Sequence, residues 1–315
     1  MTALRPLALL AFVAACSDPA HVSHITPRLE SGDRAYCVAL GADYKSNIGT
    51  MASVSLPSMT VTRGLALGVV SGDPVLRAYD GRLFVVNRGH DNVTVLDTDT
   101  WELEFQLPTG ADSNPQDVAV AGNKAYVIAY GTGAIQVWDL AHLMRAPIKT
   151  IDISSYDPDK VPNANSIVVV GDKAYVTLDL LDTGALPKPR GLGKILVIDT
   201  ATDTVTSSFD LTYTNPYGFM FPRGDGLVVA TMADFSGVDG CVEQLAVGAS
   251  AGLKPCLVKN SALGGTVSAI AVGPDATYLA VSTFDAMFNQ VATIRKLGAD
   301  GSLSPDKLTP PAQLA

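Results

Sequence analysis

The stretch from Gly122 to Leu140, GNKAYVIAYGTGAIQVWDL, constrains the fold of this chain more than any other segment. An apolar run led by Tyr126, a turn marked by Gly131 and Gly133, and a second apolar run ending at Asp139 read as two strands of an antiparallel meander. The layout recurs at Gly81 to Asp97 (GRLFVVNRGHDNVTVLD) and at Gly171 to Asp199, where GDKAYVTLDL is followed by KILVID. Phe84, Tyr126 and Tyr175 are equivalent in it, at spacings of 42 and 49 residues. A unit of that length is the size of one four-stranded propeller blade, and an array of such units shares one continuous core. Apolar residues make up 47% of the 315 positions, ample for such a core.

Each blade should supply strands a to d, counted outward from a central axis. Blade 1 offers b at 34–40, c at 51–56 and d at 60–67, with no convincing strand a before them. Blade 2 offers 75–79, 82–87, 92–97 and 102–107. Blade 3 reads QDVAV, KAYVIAY, AIQVWDL and IKTIDIS, and blade 4 reads NSIVVV, KAYVTLDL, KILVIDT and TVTSSFDL. Blade 5 reads PYGFMF, GLVVATM, CVEQLAV and PCLVKN. Blade 6 reads VSAIAV, TYLAVSTF and QVATIRKL, with a fourth strand near 305–308. The sequence therefore predicts an all-β propeller of six blades over 31–315, closed if the tail at 310–315 becomes the missing strand a of blade 1. Two alternatives stay open: the tail begins a seventh blade, or residues 21–26 supply the strand. The motifs KAYVIAY, KAYVTLDL and Val197-Ile198-Asp199-Thr200 resemble the YVTN-type β-propeller proteins of bacterial surfaces, over most of residues 31–298. That resemblance implies a fold and says little about activity, because its signature positions are strand-packing and turn residues.

The N-terminal segment predicts export. Arg5 precedes an apolar run, Leu7 to Ala15, that is too short to span a bilayer and has the form of a secretory signal over 1–15. Val13-Ala14-Ala15-Cys16 resembles the bacterial lipobox, which implies lipidation of Cys16, and Ser17 after it implies the outer membrane. Acyl chains contribute about 0.8 kcal/mol per buried methylene, so a multiply acylated cysteine would anchor the chain without a membrane-spanning helix. Residues 16–30 then form a polar tether.

In a meander, alternate connections lie at opposite ends of the blades. The a–b and c–d turns are mostly short, whereas the long connections at 87–91, 155–163, 181–193, 233–240 and 284–289 are all b–c or d–a and share one face. Insertions on a shared face mark a binding surface. Its candidate residues are Arg88, His90, Asp91, Tyr156, Asp157, Asp182, Lys188, Arg190, Asp234, Phe235, Asp239, Phe284, Asp285 and Phe288. Aromatic rings with charges of both signs suit an envelope protein, a peptide or a glycan. The formal charge of −9, with no cluster of Lys and Arg, excludes a nucleic-acid partner. Nothing in the pattern requires more than a monomer.

Cys241 and Cys256 flank the c–d turn of blade 5 and are expected to form a disulfide, as an exported chain permits. Cys37 has no obvious partner and reads as a buried free thiol. Gly248-Ala249-Ser250-Ala251-Gly252 matches the GxSxG nucleophile pattern, but in a c–d turn rather than a strand-to-helix elbow, so no catalytic residue is assigned. His21 and His24 fall in the tether, and His90 and His142 lack zinc-site spacing. Asn114, Asn165 and Asn215 stand at the starts of strands a. Six-bladed lactonase-type propellers hold calcium at such a rim, so Asn114, Asn165, Asn215 and Asp234 form an alternative metal set with calcium as cofactor. The expected function is a non-catalytic binding or scaffolding module with no cofactor, on a lipoprotein at the outer membrane or cell surface. The alternative is a calcium-dependent lactonase- or esterase-like enzyme.

Overall fold

The computed structural model describes residues 36–43, 45–55, 58–65, 68–182, 184, 188–233, 238–248, 251–284, 290–308 and 312–313. Within them the chain is an all-β propeller of six consecutive antiparallel blades. Blade 1 has three strands, Tyr36–Asp43, Ile48–Ser55 and Thr60–Leu65. Blade 2 is built from Pro74–Tyr79, Arg82–Asn87, Asn92–Asp97 and Leu103–Pro108. Blade 3 comprises Pro115–Ala121, Lys124–Ala129, Ala134–Asp139 and Lys149–Asp152. Blade 4 comprises Ala164–Val170, Lys173–Leu178, Lys194–Asp199 and Thr204–Asp210. Blade 5 follows with Phe221–Arg223, Gly226–Ala230, Cys241–Ala246 and Gly252–Lys259. Blade 6 has Thr266–Val272, Ala276–Phe284, Gln290–Gly298 and Leu303–Lys307.

Strand periodicity explains how the blades join. In strand b of blade 3, Ala125 and Val127 face a core shared with blade 2, while Tyr126 and Ile128 face one shared with blade 4. The same alternation places Phe84 between blades 2 and 3 and Tyr175 between blades 4 and 5. The equivalence read from the sequence is thus an equivalence of packing, each aromatic reaching forward to the next blade. Five such cores occur, from blades 1 and 2 through to blades 5 and 6. Among the described residues none joins blade 6 to blade 1.

Polar groups around the axis tie the inner strands together. Asp117, fully buried, pairs with Arg77 of blade 2 at 2.7 Å and accepts from the Ile167 amide of blade 4 at 3.0 Å. Ser166 of blade 4 in turn accepts from the Met220 amide of blade 5 at 2.9 Å. The Arg77 guanidinium also lies over the Phe219 ring, 3.8 Å from its centroid.

Two strand expectations need correction. The tail does not complete blade 1: Ala312–Gln313 pairs with Val291 and Ala292 of strand c in blade 6, extending the outer edge already occupied by Leu303–Lys307. Strand a of blade 5 is shorter than PYGFMF predicts and starts at Phe221. Pro216 has no N–H to donate and Gly218 is left-handed at φ 85°, so their carbonyls accept from the Asn165 amide of blade 4 at 3.3 and 3.2 Å instead. The Cys241–Cys256 disulfide is present, with an S–S distance of 2.05 Å and a sequence separation of 15. Closing a loop of that size stabilises by about 3 kcal/mol in the chain-entropy account. The Cys37 side chain lies outside the described residues.

Candidate functional site

The ends of the blades differ in how their polar groups are satisfied. Among the described residues, six side chains hold buried polar atoms with no partner, and five of them, Ser71, Arg88, Asp179, Asn215 and Asn260, lie at the b–c and d–a end. The sixth is Arg295, within strand c of blade 6. Buried polar atoms are paired in the great majority of cases, so such a concentration at one end marks a place shaped for something other than packing.

Backbone geometry repeats there from blade to blade. Asn114, Asn163 and Asn215 precede their strands a with φ of 44°, 54° and 51°, a left-handed conformation that asparagine tolerates. Their carbonyls accept from the amides of Tyr130, Asp179 and Met232 at 3.2, 3.1 and 3.1 Å. In blade 2 the Asp73 carbonyl accepts from the Arg88 amide in the same way, at 3.3 Å. Asn163, not Asn165, is therefore the blade 4 counterpart of Asn114. Arg88, Tyr130, Asp179 and Met232 form one repeat column, four residues beyond Phe84, Tyr126, Tyr175 and Val228.

A cleft of about 510 Å³ opens where blades 2, 3 and 4 contribute to this column. Arg88, Asn114, Tyr130, Asp159 and Asn163 line it, with Asp91 and Asp112 at the blade 2–3 side. Arg88 is half-buried and bonds Asp73 through Nη1 at 3.2 Å, while its Nε is buried without a partner. Burial pushes the Tyr130 phenol pKa up, and the Asp179 charge pushes it further while Arg88 draws it down. Asp179 is 3% exposed, and burial holds its carboxyl well above the usual carboxylate range, favouring the protonated form.

The expected binding residues fall into three groups. Several are committed to each other or to loop backbone. Arg190 reaches Asp157 and Asp159 at 2.6 Å and Asp182 at 3.4 Å, and the hydrogen bonds it donates to Asp159 and Asp157 push its pKa up. Asp182 and Lys188 pair in a two-rung hairpin inside the b–c connection of blade 4. Asp91 accepts from the Asp112 and Asn114 amides at 2.9 Å, and Tyr156 packs on the core between blades 3 and 4. His90 and Asp239 are exposed, and only Arg88 and Asp91 of the expected set line the cleft. Asp234, Phe235, Asp285 and Phe288 lie outside the described residues. Sequence reasoning passed over Tyr130, Asp159, Asn163 and Asp179, although the repeat column contained the signal for Tyr130 and Asp179.

Of the calcium set, Asn114 Oδ1 accepts from Gln116 Nε2 at 2.9 Å, and Asn165 spends its amide on blade 5 carbonyls. The Asn114 oxygen is thus engaged by Gln116, whereas Asn165 commits only its NH₂ group, which is not the atom that would bind a metal. Asn215 is fully buried with both amide atoms unpartnered, and Asp234 lies outside the described residues.

No protein-family model matches the chain, and no curated protein matches it by sequence. Among solved structures it is similar to a candidate 6-phosphogluconolactonase from Bacteroides fragilis, with TM-score 0.62, 11% identity, and 90% of this chain and 83% of that one covered. It is similar to the Cps50 (Swd1) beta-propeller domain of Myceliophteria thermophila, with TM-score 0.59, 15% identity, and coverage of 90% and 89%. A streptogramin B lyase gives TM-score 0.59 and 14% identity, with coverage of 87% and 80%. The chain spans 65% of the length of a hydrazine synthase chain of Kuenenia stuttgartiensis that it also matches, at TM-score 0.54, 16% identity and 75% of this chain. At these identities the likeness is one of fold, shared by proteins of catalytic and non-catalytic kinds.

Proposed function

We propose that this chain is an exported, lipid-anchored propeller that binds an envelope protein, peptide or glycan through the face carrying its long connections. The observation that carries the binding half is the concentration of unpartnered buried polar atoms at that one end, beside a cleft of about 510 Å³. Ligand sites commonly measure about 300–1,000 Å³, with a few convergent polar groups that fix orientation. The export half draws on Ala14-Ala15-Cys16 and on a disulfide, a bond that persists in oxidising compartments.

Each half has its own test. Metabolic labelling with palmitate should mark the wild-type chain and fail on Cys16→Ala; equal labelling would remove the anchor. Affinity capture from envelope extract should yield partners that an Arg88→Ala, Asp112→Ala, Tyr130→Ala variant loses. Identical partner lists would remove this face.

A second reading, a calcium-dependent lactonase- or esterase-like propeller, draws on the uncommitted Asn215 amide. It expects a rise in Tm with millimolar calcium, abolished in Asn215→Ala, because a ligand that binds only the folded state stabilises it. An unchanged Tm counts against it.

A further inference from the structure

The polar groups of the cleft are committed in an uneven way. Its acceptors are mostly occupied. Asp91 takes the Asp112 and Asn114 amides and the Ser113 hydroxyl, and Asp159 takes Arg190 and the Val161 amide. Asp112 is the one lining carboxylate without a side-chain partner among the described residues.

Its donors are mostly idle. Asn114 and Asn163 have their Oδ1 atoms occupied, by Gln116 Nε2 at 2.9 Å and the Leu181 amide at 3.0 Å, and their NH₂ groups have no partner among the described residues. Arg88 keeps a buried Nε–H unpartnered. The Tyr130 hydroxyl has no partner among the described residues, and burial, which pushes its pKa up, keeps it protonated. Asp179 behind it is buried with one oxygen unpartnered, and its protonated form is a further donor.

A cleft whose acceptors, Asp112 apart, are satisfied and whose donors are mostly not is complementary to oxygen acceptors on the ligand. A buried donor without a partner is costly, so a ligand that fills the Arg88 Nε–H gains affinity and specificity together. Charge selects among acceptors. Arg88 supplies a fixed cation, and bonds to ionised oxygens are roughly twice as strong as neutral ones. The lining sets this one cation, which also bonds Asp73, beside the carboxylates of Asp91, Asp112 and Asp159, so selection rests on the directed donors around Arg88 and not on the charge of the cleft as a whole.

We propose that the cleft between blades 2, 3 and 4 binds a carboxylate-bearing ligand, its carboxylate received by Arg88, Tyr130 and the side-chain amides of Asn114 and Asn163. The assignment rests on the binding reading above and narrows it to an acidic glycan unit or the acidic part of a peptide.

The test is isothermal titration of the intact chain with succinate and D-galacturonate, against their neutral counterparts succinamide and D-galactose. The carboxylates should bind saturably and at least about tenfold more tightly than the neutral compounds, a difference of about 1.4 kcal/mol. Tyr130→Phe should weaken carboxylate binding several-fold with Tm unchanged. Arg88→Gln should weaken it about tenfold, and Arg88→Lys should restore part of the loss. Equal binding of the neutral compounds, carboxylate binding indifferent to Tyr130→Phe and Arg88→Gln, or no carboxylate binding would each overturn the proposal. If no carboxylate binds but envelope partners are still lost on the triple substitution, the carboxylate assignment fails alone. If the partners also persist, both readings fail.

Discussion

The two ends of the blades solve the same chemical problem in opposite ways. At the a–b and c–d end, carboxylates close their own turns: Asp97 accepts from the Asp99 and Thr100 amides, and Asp199 from those of Ala201 and Thr202. Asp203 goes further, joining blade 4 to blade 3 through Lys124 at 2.8 Å and through a short bond from the Tyr126 hydroxyl. At the b–c and d–a end, Asp179 and Asn215 are as deeply buried as Asp203 but have side-chain atoms with no partner. Where the repeat dictates both partners, polarity serves stability. Where one partner is missing, buried polarity is left unsatisfied.

Substitutions can break this contrast, and the largest effect is expected at the axis, where the two ends meet. Asp117→Ala strands the Arg77 guanidinium and two backbone amides, and breaking a buried pair costs about 3–5 kcal/mol. Urea unfolding should show it as a lowered midpoint with unchanged slope. At the turn end, Asp203→Ala removes the acceptor of a buried phenol and an ammonium, and hydrogen bonds to charged groups contribute about 1.5–3 kcal/mol each. A loss under half a kcal/mol would mean that the latch is ornamental.

At the opposite end the sign should invert. Asp179 has a folded pKa raised above its ordinary 3.8 by burial, so the folded state holds the proton more tightly than the unfolded one. Its contribution is most favourable below about 3.8 and declines as pH rises through the folded pKa. Asp179→Asn should therefore be neutral in acid and stabilising at neutral pH. Chemical denaturation at two pH values measures this, and destabilisation at neutral pH would show that the carboxylate has a partner. The smallest effect belongs to Asp199, lowered to about 2 first by the Lys173 hydrogen bond and then by the Thr202 amide. The stability it provides is present above 3.8 and lost as pH falls through about 2, so acid titration of Asp199→Asn should be slightly flatter over that window.

The sequence made one end legible and left the other obscure, for physical reasons. Turns such as Asp199 to Asp203 are local, their partners lying within four residues, so a repeat in the letters is a repeat in the bonds. The b strands were legible because alternation and the leading aromatic fix which side chain meets which neighbour. The candidate site depends on contacts between connections of different blades. Arg190 looked like a free charge until Asp157 and Asp159, more than thirty positions away, closed around it. Asn163 was masked by Asn165 two residues on, because the feature that matters is a left-handed backbone and not the letter. Burial turned Asp179 from one more acidic loop residue into a carboxyl only 3% exposed, and burial has no local signature.

The alternating b strands carry one further implication. Because Tyr126 belongs to the core on one side of its blade and Val127 to the core on the other, no wedge owns its own interior. Excising a single blade would lay bare two seams at once, so loosening should spread outward in steps from an end of the array. Amide exchange should then be slowest in blades 3 and 4, the furthest from either end of the run of packed seams, and those are two of the three blades that carry the cleft.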